Sequence, residues 1–266
     1  MTNSSAHDLA QVVAAVRKTR TPLSAVAPHL VPATQDDGYA VQQLVHDELT
    51  AGGQGEIVGH KIGCTTKVMQ EYMQIDTPCA GGIFSTTVAQ KHGTFLASAH
   101  QKIGVECEIA VRLATDLTAQ ADGTVSHDQA AAAIATCMAA IEIVEDRYEQ
   151  YSTLATPVLI ADDFFNAGCV LGDEHADFDP HQLDRVSASM EVNGEPVGSG
   201  RGSDVLGHPL TSLAWLATER ARRGEPLKAG EFVLLGSVVQ TYWLEPGDVV
   251  RIINDPFGEA TFTLEA

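Results

Sequence analysis

Val105-Glu106-Cys107-Glu108-Ile109-Ala110-Val111-Arg112-Leu113 alternates with a period of two. In a strand, Val105, Cys107, Ile109 and Val111 point to one face and Glu106 and Glu108 to the other. Two carboxylates on one face of a rigid strand converge on a single spot, which like charges avoid unless a cation lies between them. Oxygen ligands of this kind suit Mg²⁺ or Mn²⁺, and the coordination calls for a third carboxylate. Glu142, alone among apolar neighbours in Ala140-Ile-Glu-Ile-Val144, is the candidate. The competing reading is that both strands have one solvated face, and spacing alone leaves the two open.

Working outward, the chain has 266 residues and 44% hydrophobic content, enough to bury a full core. Its formal net charge is −19, with no basic patch or Arg-rich arm. That excludes nucleic acid, which needs concentrated Lys and Arg, and disfavours anionic membranes. No stretch reaches the roughly 20 apolar residues of a membrane span, and no secretory leader is visible. The five cysteines (64, 79, 107, 137, 169) are dispersed and form no C-x-x-C pair. They read as buried hydrophobes in a reducing compartment, so a cytoplasmic protein is expected.

The first fifty residues read as helices. One runs from Asp8 to Arg20, and a second is capped by Thr34 and ends at Gly52-Gly53. Strand-like runs follow at Ile57–Ile62, Ile83–Val88, Val105–Leu113 and Ala140–Val144, with an Ala-rich helix expected over Ser126–Ala139. Further strands are expected at Phe165–Leu171 and Val186–Val192, then a hairpin turn at Asn193-Gly194 and a Gly/Ser turn over Gly198–Ser203. A helix from Pro209 to Arg223 precedes three terminal strands, Phe232–Gln240, Asp248–Ile253 and Glu259–Leu264. Helices first and antiparallel-looking strands later give an α+β class.

Lys61 is a lysine inside an apolar strand, between Gly59 and Gly63. Burial there costs free energy unless the ammonium is paired. It is either a lysine snorkelling to solvent or a base or cation that anchors a substrate carboxylate. Asp162-Asp163 ahead of Asn166 suits turn chemistry, with a role in holding Lys61 as the sharper alternative. Gly198–Ser203 lacks the lysine of a phosphate loop. Ser237, after Gly236, sits at a strand end suited to donating a hydrogen bond.

Taken together, Asp37-Gly-Tyr-Ala-Val-Gln42, Gly59-His-Lys-Ile-Gly63, Val105-Glu-Cys-Glu-Ile-Ala110, Ala140-Ile-Glu-Ile-Val144, Asn166-Ala-Gly-Cys-Val-Leu-Gly172, Val205-Leu-Gly-His-Pro-Leu210 and Gly230-Glu-Phe-Val-Leu-Leu-Gly-Ser237 resemble one family. It is the 2-keto-4-pentenoate hydratase and 4-oxalocrotonate decarboxylase family of the fumarylacetoacetate hydrolase superfamily. The resemblance implies a mixed β-roll over 56–266 with an N-terminal helical cap over 1–55. It also implies a divalent metal held by Glu106, Glu108 and Glu142, catalytic positions at Lys61 and Asp162, and substrate binding at Ser237. A homo-oligomer is expected, with a pathway enzyme as a further partner.

The implied activity is metal-dependent addition of water to a 2-hydroxyalka-2,4-dienoate, giving a 4-hydroxy-2-oxo acid in aromatic meta-cleavage catabolism. One departure bears on it: Asp76-Thr-Pro-Cys79-Ala-Gly81 carries Cys79 where many such hydratases place an acid. Decarboxylation of a 4-oxalocrotonate-type 2-oxo acid needs no water-activating acid and is the alternative. Acylpyruvate hydrolysis follows, with His60 facing away from Lys61 if the run is a strand. A non-catalytic 2-oxo-acid binding subunit is the reading from another class.

Overall fold

The computed structural model describes residues 1–266. Its helices are α1 (Asn3–Thr19), α2 (Gln35–Leu49), α3 (Lys67–Tyr72), α4 (His127–Ala132), α5 (Thr156–Ala161) and α6 (Pro209–Arg222). Its strands are β1 (Ile57–Gly63), β2 (Cys79–Phe84), β3 (Val88–Gln90), β4 (His92–Leu96), β5 (Ile103–Leu113), β6 (Ile134–Glu145), β7 (Asn166–Leu171), β8 (Ser187–Val192), β9 (Glu195–Arg201), β10 (Phe232–Ser237), β11 (Tyr242–Trp243), β12 (Val249–Asp255) and β13 (Gly258–Glu265).

Two mixed sheets result. One has the order β2-β1-β10-β5-β6-β7-β3, with β11 on the end of β5; the other runs β4-β13-β12-β8-β9. Most pairs are antiparallel, but β1–β10, β3–β7 and β4–β13 are parallel. The second sheet lies across the first through β12 and β13 on β6. This is the expected α+β, mixed β-roll class, with α1 and α2 packed together at the N-terminus.

Local chemistry explains most element ends. Thr2 and Ser5 form a capping box at the start of α1, which buries Ala6, Leu9, Ala10, Val13 and Ala14. Thr34 caps α2 reciprocally with Asp37. Asn193 and Gly194 both take positive φ (55° and 82°), as a tight hairpin turn between β8 and β9 requires.

Pairing overrides local preference in two places. The Ala-rich run stops being helical at Ala132, and Ile134 onward is β6. Ala139 and Ala140 lie opposite Ile109 and Glu108 in the middle of the sheet, where side chains must be small and backbone groups paired. The Gly/Ser run is likewise only partly a turn: Gly198–Arg201 belong to the edge strand β9, paired with β8 from Ser187–Arg201 to Val192–Glu195, and the chain turns at Gly202–Asp204. Gly200 makes this possible, since a Cβ there would fall 2.0 Å from the Val238 carbonyl oxygen.

The two faces of β5 enter different cores. Val105, Cys107, Ile109 and Val111 join the main core, which also takes in α1, α2 and the second sheet. On the other face, below the glutamates, Ala110 packs with Met138, Ala140, Phe232 and Leu234 in a small separate cluster. That cluster closes the floor beneath the acidic residues.

Candidate metal centre

Strand register builds the site. β5 and β6 pair antiparallel so that Glu106 lies directly opposite Glu142, and Glu108 follows two residues on along β5. One oxygen from each of Glu106, Glu108 and Glu142 lies within 4.8 Å of the others. Glu108 and Glu142 are fully buried, which overturns the alternative that these strands merely have a wet face.

Each carboxylate is held on one side. The Gly236 amide donates to Glu108 Oε2 at 2.7 Å, Asn166 Nδ2 donates to Glu142 Oε1 at 3.0 Å, and the Thr241 hydroxyl donates to Glu106. Glu108 Oε1 and Glu142 Oε2 are buried and have no partner. Oxygens in that state are costly in a closed core and are what a cation would satisfy.

Electrostatics point the same way. At an effective dielectric of ~20, two carboxylates at this separation repel by about 3 kcal/mol. Burial, then Glu142, pushes the Glu106 carboxyl up to about 7, and burial with its two acidic neighbours holds Glu108 well above the ordinary range. Lys61 Nζ, 3.2 Å from Glu142 Oε1, is the cation that faces them. Burial pulls its pKa down, but Glu142 and Glu106 outweigh this and keep it above its ordinary value as an ammonium. Fully ionised, the three carboxylates and the ammonium would carry two negative charges, the charge a divalent ion neutralises; without an ion, the raised carboxyls of Glu106 and Glu108 relieve that excess by keeping protons. The donor set is all oxygen, as Mg²⁺ or Mn²⁺ prefers.

Lys61 lies on β1, buried, and does not snorkel. It also donates to the Phe164 carbonyl at 2.6 Å and sits 5.2 Å from the centre of that ring. His60 points to the other face of the strand, 3.5 Å from Glu231. Burial lowers its pKa to about 4.

Asp162 stands apart from Lys61. Its carboxylate is taken by Arg17 Nε at 2.5 Å and Arg147 Nε at 2.7 Å. Asp163 next to it accepts from the Gly82 amide at 2.8 Å, bonds His46 at 2.7 Å and pairs with Arg17 Nη1 at 3.0 Å. Asp163, Phe164 and Phe165 all have positive φ (54°, 46° and 70°). Three consecutive left-handed residues without glycine cost roughly 1–2 kcal/mol each and need a rigid surround. Ser237 donates to the Val239 carbonyl at 2.6 Å and the Cys107 carbonyl at 3.3 Å. Its neighbour Gly236 supplies the contact to Glu108.

Sequence reading missed Asn166, Thr241, Arg17, Arg147 and His46. Only Asn166 lay in a quoted motif, and nothing local marks the others, because tertiary approach alone brings them in.

Glu145, at the end of β6, yields a pH prediction. Burial would raise its carboxyl, but His100, Arg147 and the Gln101 amide bring it from 4.5 down to about 2. The folded state therefore binds this proton less readily than the unfolded chain. The resulting stability, about 3 kcal/mol, is fully present above the unfolded pKa and is lost as pH falls toward the folded one. In urea unfolding, the deficit of Glu145→Gln against the parent is expected to hold from pH 6 to about 5 and then to shrink as pH falls to 3. A deficit constant over that range would refute the assignment.

The fumarylacetoacetate (FAA) hydrolase C-terminal family matches residues 66–265. The 2-hydroxyhexa-2,4-dienoate hydratase of Comamonas testosteroni is 32% identical over 255 residues, 92% of this chain and 91% of its own. The 2-keto-4-pentenoate hydratase of Paraburkholderia xenovorans is 29% identical over 249 residues, 94% of this chain and 91% of its own. Among solved structures, 4-oxalocrotonate decarboxylase from Pseudomonas putida G7, complexed with magnesium and adipate, superposes with a TM-score of 0.91 at 26% identity. That match covers 99% of this chain and 98% of the decarboxylase. Motif order, fold and these likenesses agree: the chain belongs to the fumarylacetoacetate hydrolase family, within its group of 2-keto-4-pentenoate hydratases and 4-oxalocrotonate decarboxylases.

Proposed function

We propose that this protein is a metal-dependent hydratase that converts 2-hydroxyalka-2,4-dienoates to 4-hydroxy-2-oxo acids. The observation that carries the reading is the buried group of Glu106, Glu108 and Glu142 with Lys61 beside it. In this proposal the three glutamates hold the ion, and magnesium in the Pseudomonas decarboxylase supports that choice of metal. Bound there, a divalent ion supplies Lewis acidity toward the carboxylate and 2-oxygen of the substrate.

The chain's own groups would do the rest. Conversion of the dienol to the enone requires a proton to leave the 2-hydroxyl and one to arrive at the far carbon; water then adds at C4. Lys61 Nζ is the buried cation at the carboxylates and carries that proton. The Phe164 carbonyl and Glu142 fix the ammonium from two sides. Ser237, next to the Gly236 amide that holds Glu108, is the proposed substrate contact, and Asp162 holds the turn that carries Phe164. The 1–55 segment serves as a cap on a 56–266 catalytic body. The protein acts as a cytoplasmic homo-oligomer on a small molecule, alone or with a pathway enzyme.

One observation favours decarboxylation as the second reading. Cys79 is fully buried, and its hydrogen bond with Cys64, together with burial, holds the thiol well above its ordinary pKa. A neutral thiol does not activate water, whereas loss of CO₂ from a 2-oxo enedioate such as 4-oxalocrotonate needs no such group. The separating test is product analysis with each substrate in Mg²⁺ buffer. The expected result is a 4-hydroxy-2-oxo acid from 2-hydroxypenta-2,4-dienoate; CO₂ from 4-oxalocrotonate with an inert dienoate would select the decarboxylase.

A further inference from the structure

The N-terminal helix reaches the turn beside Lys61 through Arg17. Arg17, in the last turn of α1, places one guanidinium against both Asp162 and Asp163 and donates from Nη2 to the Asp162 carbonyl at 2.9 Å. Arg147 closes the same carboxylate from the opposite side and donates to the Asn166 carbonyl at 2.6 Å. The two guanidiniums therefore grip both ends of the left-handed run 163–165. Asp163 is fastened on its remaining side by His46 from α2 and by the Gly82 amide. At Gly81 the β2 backbone comes so close that a Cβ would fall 2.6 Å from the Asp163 carbonyl oxygen.

What this clamp presents is the Phe164 carbonyl, the acceptor 2.6 Å from Lys61 Nζ, with the Phe164 ring alongside. An alternative right-handed turn would aim that carbonyl elsewhere and leave the ammonium with Glu142 alone. The chain after α1 is tied to the same place, since the Leu23 amide donates to the Arg147 carbonyl at 2.9 Å.

We infer that Arg17 is a positioning residue for the reaction: through the strained turn at 163–165 it sets the place of Lys61, which makes the N-terminal helix part of the catalytic apparatus. This rests on the reading of Lys61 as the proton carrier. Small displacements of a reacting group are worth about 100-fold in rate.

The test compares the full-length parent with Arg17→Ala, Arg17→Lys and, as a control on the same helix, Lys18→Ala, whose contact is an exposed backbone carbonyl of Glu48. With 2-hydroxypenta-2,4-dienoate and Mg²⁺, Arg17→Ala is expected to lose about 100-fold in kcat. KM and Mg²⁺ affinity should stay within about twofold, and added guanidinium should restore part of the rate. Arg17→Lys keeps the charge but not the fork, and should fall between the two. The ¹⁵Nζ resonance of Lys61, read without substrate, should shift in both Arg17 variants and not in Lys18→Ala.

Parent-like kcat in a folded Arg17 variant, or loss of rate in step with lost Mg²⁺ binding and without guanidinium recovery, would overturn the inference. If Arg17→Ala does not fold, Arg17→Lys decides by the same criteria. A parent without turnover would sink the hydratase reading instead, and the Lys61 resonance then decides on the clamp by itself: unshifted in the variants, the inference fails.

Discussion

Lys61→Ala is expected to lower kcat by about 10²–10⁴-fold, the usual worth of a positioned proton carrier. Its Mg²⁺ affinity should not fall, because the ammonium 3.2 Å from Glu142 competes with an ion for that carboxylate. Removing it frees a ligand oxygen while leaving the Asn166 and Gly236 contacts to the glutamates in place. The fold should survive, since the lost bond to the Phe164 carbonyl belongs to a turn still gripped by Arg17 and Arg147. Steady-state kinetics with calorimetric Mg²⁺ titration checks both halves. Undiminished kcat removes Lys61 from proton transfer, and a loss confined to KM makes it a substrate anchor.

Glu108→Gln separates metal binding from folding. The amide oxygen can still accept from the Gly236 N–H, but the carboxyl that would ionise to hold an ion is gone. Ion affinity should drop by more than the ~10–100-fold that changes behind a ligand typically cause. Turnover should fall with it at fixed Mg²⁺. In chelator the variant should be no less stable than the parent, because the parent's Glu108 is a buried carboxyl with an orphaned oxygen, held well above the ordinary carboxylate range by burial and its two acidic neighbours. Thermal unfolding reads the contrast: an ion at 100 times its dissociation constant adds about 2.7 kcal/mol to the parent. Glu108→Gln should show little of that gain. Parent-like turnover of the variant in chelated buffer would remove Glu108 from the metal site.

How much of this was legible depends on whether the cause is local. The alternation of Val105–Leu113 put Glu106 and Glu108 on one face, because a period of two fixes the face, and the isolated Glu142 offered a third ligand; the pairing that brings Glu142 opposite Glu106 is seen only in the folded chain. Thr34 and the Asn193-Gly194 pair were equally readable, since caps and tight turns are set within a few residues. The Ala-rich segment misled because alanine's helical preference is worth only tenths of a kcal/mol per residue. A full ladder of pairing with β5 outweighs that. Gly198–Arg201 misled for a related reason: Gly200, read as part of a turn, is there for the close passage of the Val238 backbone. At 162–165 the turn was legible from Asp162-Asp163 and Asn166, but the groups that clamp it were not. Arg17, His46 and Arg147 are 145, 117 and 15 residues from their partners, and only the folded chain brings them together.

The most direct test of the metal-dependent reading is to strip the protein with EDTA, remove the chelator, and follow the ultraviolet decay of fresh 2-hydroxypenta-2,4-dienoate while Mg²⁺ is titrated back. Decay that is absent in the stripped protein, returns saturably and reaches its limit at one tightly held ion per chain is the predicted result. Full turnover by the stripped protein, unchanged by added Mg²⁺ or Mn²⁺, would contradict it.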